Sequence, residues 1–208
     1  LQNNNKLNKI ILNNISLRKK MSELSTNDIK PSMKVEINKE PYIVVTNQFV
    51  KPGKGQAFNR IKLKNLITGR TIEKTYKSTE KLTIADVEEK RMRLLYLEQD
   101  AAVFMCDETF EQISVAFSVI KENKIWLKED NLYDLIFYKG SAIDLIPPTF
   151  MELLITESAP GLRGDSASGR VLKPATLETG AKIQVPIFIN EGEKIKVDTR
   201  TSEYVSRV

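Results

Sequence analysis

The sequence predicts an all-β protein made of three small barrels, and three observations carry that prediction. Apolar and polar residues alternate over short runs, most plainly where Phe58, Ile61, Leu63 and Leu66 lie among Arg60, Lys62 and Lys64, the pattern of a half-buried strand. Compact turn signals separate the runs: Asn38-Lys39, Thr68-Gly69, Lys139-Gly140 and Asn190-Glu191-Gly192, each suited to a hairpin. Charge balance shifts near residues 81–86, and Pro147-Pro148 interrupts the chain. The resulting pieces of about 60 residues are small enough to gain stability by packing on one another.

In the first piece the pattern predicts strands over residues 34–37, 41–50, 57–66 and 70–76, with a core drawn from Val35, Ile37, Ile43, Val45, Ile61, Leu63 and Leu66. Pro41 is tolerable near the start of a strand, where its missing N–H need not break a ladder. In the second piece, runs at 91–97 and 101–106 flank Glu98-Gln99-Asp100, and Phe110, Ile113, Val115 and Phe117 supply further apolar positions. Ile120 begins a short helical piece, and runs at 132–138 and 142–146 flank Lys139-Gly140. Trp126 has one apolar neighbour on each side and no interleaved basic residues, which reads as a core or domain-interface anchor rather than a base-stacking platform. Pro147-Pro148 removes two backbone donors and ends the preceding strand. Beyond it come runs at 150–156, 182–189 and 194–199, with a Gly-, Ser- and Arg-rich loop over 158–169.

Composition removes several functions. The 208 residues contain no histidine and one cysteine, Cys106, which excludes His triads, His metal ligands and an internal disulfide framework. Cys106 ends an apolar run and is expected to be a buried, inert thiol. No run approaches eighteen apolar residues, so no membrane span is predicted. The net charge of +5 is unevenly placed. Residues 1–20 carry Lys6, Lys9, Arg18, Lys19 and Lys20 and no acid; residues 21–85 sum to +6 and residues 86–208 to −6. A basic end on an acidic remainder suits docking of one end onto a polyanion.

Residues 1–20 are Asn-rich and basic and read as a disordered extension outside the fold. They lack a sustained signal-peptide core, and could belong to an organelle-targeting segment.

The segment with the most chemical content is Val50-Lys51-Pro52-Gly53-Lys54-Gly55-Gln56-Ala57-Phe58. Pro52 presets φ at the second turn position and Gly53 tolerates a positive φ at the third, predicting a type II turn. Gly55 frees the backbone just past Lys54. The product is a hairpin with an ammonium at its tip. It is not a nucleotide-type phosphate loop, since no GxxxxGK[ST] run or following helix is present. Lysines in a Gly/Pro turn are usually just solvated; the sharper reading is that Pro52, Gly53 and Gly55 hold Lys54 where a macromolecule or a modifying enzyme can reach it. Positions 60, 62 and 64 share one strand face, making Arg60, Lys62 and Lys64 a basic stripe.

Two distant segments carry a family resemblance. Lys51-Pro52-Gly53-Lys54-Gly55-Gln56-Ala57-Phe58 resembles bacterial translation elongation factor P. So does the run from Lys173-Pro174-Ala175-Thr176 through Leu177-Glu178-Thr179-Gly180 to Ala181-Lys182-Ile183-Gln184-Val185-Pro186-Ile187-Phe188, together with Gly192-Glu193-Lys194 and the ending Glu203-Tyr204-Val205-Ser206-Arg207. Asn65-Leu66-Ile67-Thr68-Gly69, Glu108-Thr109-Phe110-Glu111-Gln112 and Pro148-Thr149-Phe150 match as well, so the resemblance runs from Met21 to Val208.

The resemblance implies an L-shaped molecule of three barrels: a KOW/SH3-like domain over 21–85 carrying the hairpin, a central OB-like domain over 86–146 and a C-terminal OB-like domain over 147–208. It implies a non-enzymatic, monomeric elongation factor in the cytoplasm, or in an organelle if residues 1–20 target it there. Its partners would be the ribosome, peptidyl-tRNA and a lysine-modifying enzyme, with neither DNA nor membrane, and its effect would be peptide-bond formation at consecutive prolines. No cofactor is implied beyond a covalent extension of Lys54, β-lysine being one group used in the family; Lys51, Pro52, Gly53 and Gly55 would support the tip. Arg60, Lys62 and Lys64 are candidates for RNA-backbone contacts, as are Arg163, Arg170, Tyr204 and Arg207. Gly164, Asp165 and Ser166 form the C-terminal loop that the family turns toward the small subunit and tRNA. A packed Tyr204 and a surface Arg207 would be equally ordinary. A non-catalytic β-barrel adaptor for RNA or protein is the alternative from another class.

Overall fold

A computed structural model of the chain describes residues 23–158 and 172–208. The described residues hold sixteen strands in three sheets. The first sheet contains β1 (Glu23–Ser25), β2 (Lys34–Ile37), β3 (Glu40–Val50), β4 (Phe58–Asn65), β5 (Thr71–Lys77) and β6 (Lys81–Ile84), in the order β1-β6-β2-β3-β4-β5. Asn38 and Lys39, at φ 53° and 66°, turn β2 into β3, the left-handed pair that matches strand twist. Asn65 closes the next turn, its Oδ1 accepting from the backbone N–H groups of Ile67 and Thr68 at 2.8 Å each. The sheet curls around its own core of Ile29, Val35, Ile37, Val44, Ile61, Leu63 and Leu82.

That core differs from the expected one at β3. The β3–β4 ladder shifts register between Val44 and Thr46, so Val45 occupies a bulge and is 41% exposed while Val44 is buried. A bulge adds one residue to one strand and reverses the facing of the residues beyond it. Ile43 and Leu66 are half-buried rather than central.

The second sheet contains β7 (Val87–Leu97), β8 (Ala101–Met105), β9 (Gln112–Ala116), β10 (Leu132–Tyr138) and β11 (Ser141–Ile146), ordered β11-β10-β7-β8-β9. A short helix α1 (Phe117–Ile120) and a 3-10 turn (Lys121–Trp126) come after β9, so Ile120 ends rather than begins the helix. Tyr133 is buried edge-on against Phe104 at 5.8 Å; its hydroxyl donates to the Trp126 carbonyl at 2.9 Å and accepts from the Lys128 N–H at 2.8 Å. Burial pushes its pKa up to about 12.

The third sheet, β12 (Phe150–Ser158), β13 (Leu172–Leu177), β14 (Lys182–Pro186), β15 (Lys194–Asp198) and β16 (Glu203–Arg207), closes into a barrel in the order β12-β13-β14-β16-β15. Its core includes Leu153, Ile155, Leu177, Val185, Ile195 and Val197, and Trp126 joins that cluster at 3% exposure. Trp126 is therefore a core anchor.

By contacts the chain forms two compact units. One runs to Glu88 and takes in Phe137–Ile143; the other comprises Glu89–Ile136 and Asp144–Val208. Within the first unit, the turn of the β10–β11 hairpin is fastened to β2. The Tyr138 hydroxyl donates to Glu36 Oε2 at 2.8 Å, and Lys139 Nζ lies 2.9 Å from the same oxygen. Those hydrogen bonds, from Lys139 first and then Tyr138, hold the Glu36 pKa below the usual carboxylate range. No helix among the described residues is long and apolar enough to cross a membrane.

Candidate functional site: a basic hairpin finger

Strands β3 and β4 pair from Tyr42↔Asn65 out to Val50↔Phe58, and residues 51–57 join them as an irregular tip. The expected type II turn is absent. Gly53 does not adopt the left-handed region that such a turn requires at its third position, whereas Gly55 does, at φ 110°. The backbone freedom that matters is therefore one residue past Lys54 rather than one before it. Lys51 and Lys54 are exposed, and among the described residues neither side chain makes a hydrogen bond or an ion pair. Both amines face water, so reaching them requires no disruption of the fold.

Below the tip, β4 sorts its side chains by parity. Asn59, Ile61, Leu63 and Asn65 are buried; Arg60, Lys62 and Lys64 are exposed on the opposite face. Their cross-strand partners on β3 are Gln48, Thr46 and Ile43, and those on β5 are Thr75, Glu73 and Thr71. Glu73 is the one acid in this set, with Oε1 3.5 Å from Arg60 Nε and both side chains about half exposed. A pair in that setting contributes little and is screened by salt. Lys62 and Lys64 have no ion-pair partner among the described residues. The face is therefore positive along its length, continuous with the amines at the tip.

A polar network not anticipated from the sequence fixes the base of the finger. Asn59, 1% exposed, donates from Nδ2 to Thr26 Oγ1 at 3.1 Å and to Asn27 Oδ1 at 2.7 Å. Thr26 Oγ1 in turn donates to the Lys77 carbonyl at 3.0 Å, and Asn47 Nδ2 donates to the carbonyls of Thr26 and Ile29 at 2.9 and 2.8 Å. Both strands of the hairpin and the end of β5 are thus tied to one turn. The available signal was parity: Asn59 and Asn65 share a face with Ile61 and Leu63, and a buried amide needs specific partners.

The other candidates fall elsewhere. Arg163, Gly164, Asp165, Ser166 and Arg170 lie outside the described residues. Tyr204 and Arg207 belong to the second unit. Tyr204 packs against the core of the third barrel, and Arg207 Nη2 sits 2.8 Å from Glu193 Oε1. Cys106 is not the buried thiol expected: β8 stops at Met105, so Cys106 opens the following turn and is partly exposed. A side-chain hydrogen bond with Thr109, then backbone N–H groups of Thr109 and Glu108, lower its pKa.

Comparison with known proteins gives this architecture a class. Residues 25–82 match the model of the elongation factor P KOW-like domain, residues 87–145 that of its OB domain, and residues 151–207 that of its C-terminal domain. The "Elongation factor P 2" of Protochlamydia amoebophila (strain UWE25) is 60% identical over 188 residues, covering 90% of this chain and 99% of its own. Those of Chlamydia trachomatis serovar D and Chlamydia pneumoniae are 58% and 57% identical over the same coverage. A solved initiation factor 5A from Methanococcus jannaschii aligns over 60% of this chain and 95% of its own, with 19% identity and a TM-score of 0.47, too distant a likeness to bear on function.

A KOW-like barrel followed by OB-type domains, matched along the chain in this way, defines a translation elongation factor. The chain belongs to the elongation factor P family.

Proposed function

We propose that this factor binds the ribosome beside peptidyl-tRNA and promotes peptide-bond formation at consecutive prolines, with Lys54 as the acting residue. The observation that carries the reading is Lys54 itself: an exposed, unpaired amine at the end of a two-stranded finger whose base is locked by the Asn59–Thr26–Asn47 network. The ribosome supplies the chemistry of peptide transfer, so the factor needs neither a nucleophile nor a general base. Its task is placement. An error of about 1 Å in reacting geometry can cost about 100-fold in rate, so restraint of a flexible acceptor end is a sufficient mechanism.

In this reading Lys54, extended by a lysine-modifying enzyme, reaches toward the acceptor end, and the anchored hairpin keeps the reach from being spent on loop motion. Arg60, Lys62, Lys64 and Lys51 contact RNA phosphates; such contacts orient a protein without reading sequence. Arg163, Arg170 and the segment Gly164-Asp165-Ser166, with Tyr204 and Arg207, are proposed as secondary RNA contacts of the C-terminal domain.

Reconstituted translation of a proline-run message, with and without the factor, tests the reading. The factor should accelerate that message and leave a control message nearly unchanged. Equal effects on both would instead favour a general RNA- or protein-binding adaptor. Intact-mass analysis and peptide mapping of protein from its native source should place an added mass on Lys54; a bare lysine there would remove the modification from the mechanism.

A further inference from the structure

We propose that Phe49 is a stacking subsite for an unpaired nucleobase, on the face of the finger opposite its basic stripe. This inference rests on the proposed role of the finger at peptidyl-tRNA and adds a second ligand-binding group to the same finger.

Phe49 is 57% exposed. The register places Gln48 across from Arg60 and Phe49 across from Asn59, so Phe49 shares the inward parity of Asn59 rather than the outward parity of the stripe. That parity would bury an aromatic ring lower on the strand. Here Asn59 is covered by the Thr26–Asn27 turn, while Phe49 beside it keeps more than half of its surface in water and is not one of the buried residues of the apolar cluster. No ring or cation contact involves Phe49 among the described residues. Folding leaves more than half of the ring in water, and a partner that covered it would gain the free energy of removing that apolar surface from water.

The setting selects the partner. Lys51 and Lys54 lie within the next five positions, and Phe58 and Arg60 stand across the hairpin, so aromatic and basic residues interleave at the end of the finger. A positive surface attracts phosphate and repels cationic protein faces. Every base presents a π-face, and a phenyl ring with no donor of its own accepts any of them. Phosphates held on one face and a base on the other would grip a single strand of RNA from both sides, which a basic stripe alone cannot do. The same bond-free ring stacks only on a base that is unpaired, so the ligand is a single-stranded segment such as an RNA end.

The test uses the full chain carrying Phe49→Leu, Phe49→Ala or Phe49→Trp, assayed for the concentration giving half-maximal stimulation of the proline-run message, the maximal rate and the melting temperature. The leucine and alanine variants should need about 5- to 150-fold more protein, the span of one aromatic–base stack, with melting unchanged. The tryptophan variant should stay close to wild type, and its added fluorescence should be quenched on binding ribosomes that carry peptidyl-tRNA, over the constant signal of the buried Trp126. A leucine variant as good as wild type, or loss with alanine but not leucine, would mean an apolar protein contact or none, and overturn the proposal. An unquenched tryptophan would do the same. If the wild-type factor stimulates proline-run translation while leucine matches phenylalanine, this inference alone falls; if the wild type neither binds nor stimulates, the functional reading falls and takes this inference with it.

Discussion

Gly53 and Gly55 flank Lys54, yet they do different work. A Cβ added at Gly53 meets nothing within 4 Å and its backbone is not left-handed; at Gly55 the space is also adequate, the nearest atom being Pro52 Cγ at 3.8 Å, but φ is 110°. Gly53→Ala should therefore leave stability unchanged or raise it by up to about 1 kcal/mol through the unfolded chain. Gly55→Ala should cost about 1–3 kcal/mol as local strain, read by urea unfolding. Equal behaviour of the two variants would contradict the tip geometry. Asn59 sets the opposite kind of requirement. Asn59→Ala leaves the buried Thr26 hydroxyl oxygen without its Asn59 donor, and should cost about 1–3 kcal/mol. Hydrogen exchange should rise around Asn47 and Asn59, where β3 and β4 meet the tip, more than elsewhere; uniform change would mean the network does not anchor the finger. These residues also show what a sequence reveals. Lys54 is conspicuous because Pro and Gly surround it. Which glycine carries positive φ depends on how the strands end, and no local pattern states that.

At the scale of elements, the basic face of β4 is fully visible in the sequence, because period-two alternation needs no tertiary information. Val45 is not, because a bulge is set by how two strands close on a shared core, and its one-residue slip moves an apolar side chain to solvent. Strands β1, β6, β13 and β16 also escaped the pattern: β1 and β6 are short, and Pro174 lies within β13, where a proline argues against a strand. The stripe itself yields a quantitative expectation. Lys62→Ala and Lys64→Ala should each weaken ribosome binding and reduce the slope of log affinity against log salt by about 0.7–1. Arg60→Ala should change it less, since Glu73 already shares that charge. Slopes unchanged in all three would show that this face touches no phosphate.

At the scale of the whole molecule, the three-part division read from the sequence rests on the charge shift near residue 81 and on Pro147-Pro148, while clustering by contacts gives two units. The β10–β11 turn joins the first unit through Glu36, Tyr138 and Lys139, residues far apart in sequence with nothing local to connect them. Their ionisation gives this contact a pH window. Glu36 is depressed below its ordinary value of 4.5, so its contribution is present above that value and is lost as pH falls through the lowered one. Lys139 is raised above 10.5 by hydrogen bonds with Tyr138 and Glu36, so its contribution is present below that value and is lost as pH rises through the raised one. Glu36→Gln should therefore be less stable than wild type at neutral pH, and the gap should shrink as pH falls through the carboxylate range. A gap independent of pH would show that charge at Glu36 does not hold the contact.

The finger, its anchor and its tip converge on one residue, and one comparison tests it. Natively modified wild-type factor and Lys54→Ala are added to reconstituted translation of a proline-run message, with melting temperatures measured on the same samples. The account predicts equal melting and loss of most of the acceleration in the variant. An alanine variant that melts normally and still relieves the stall would contradict it.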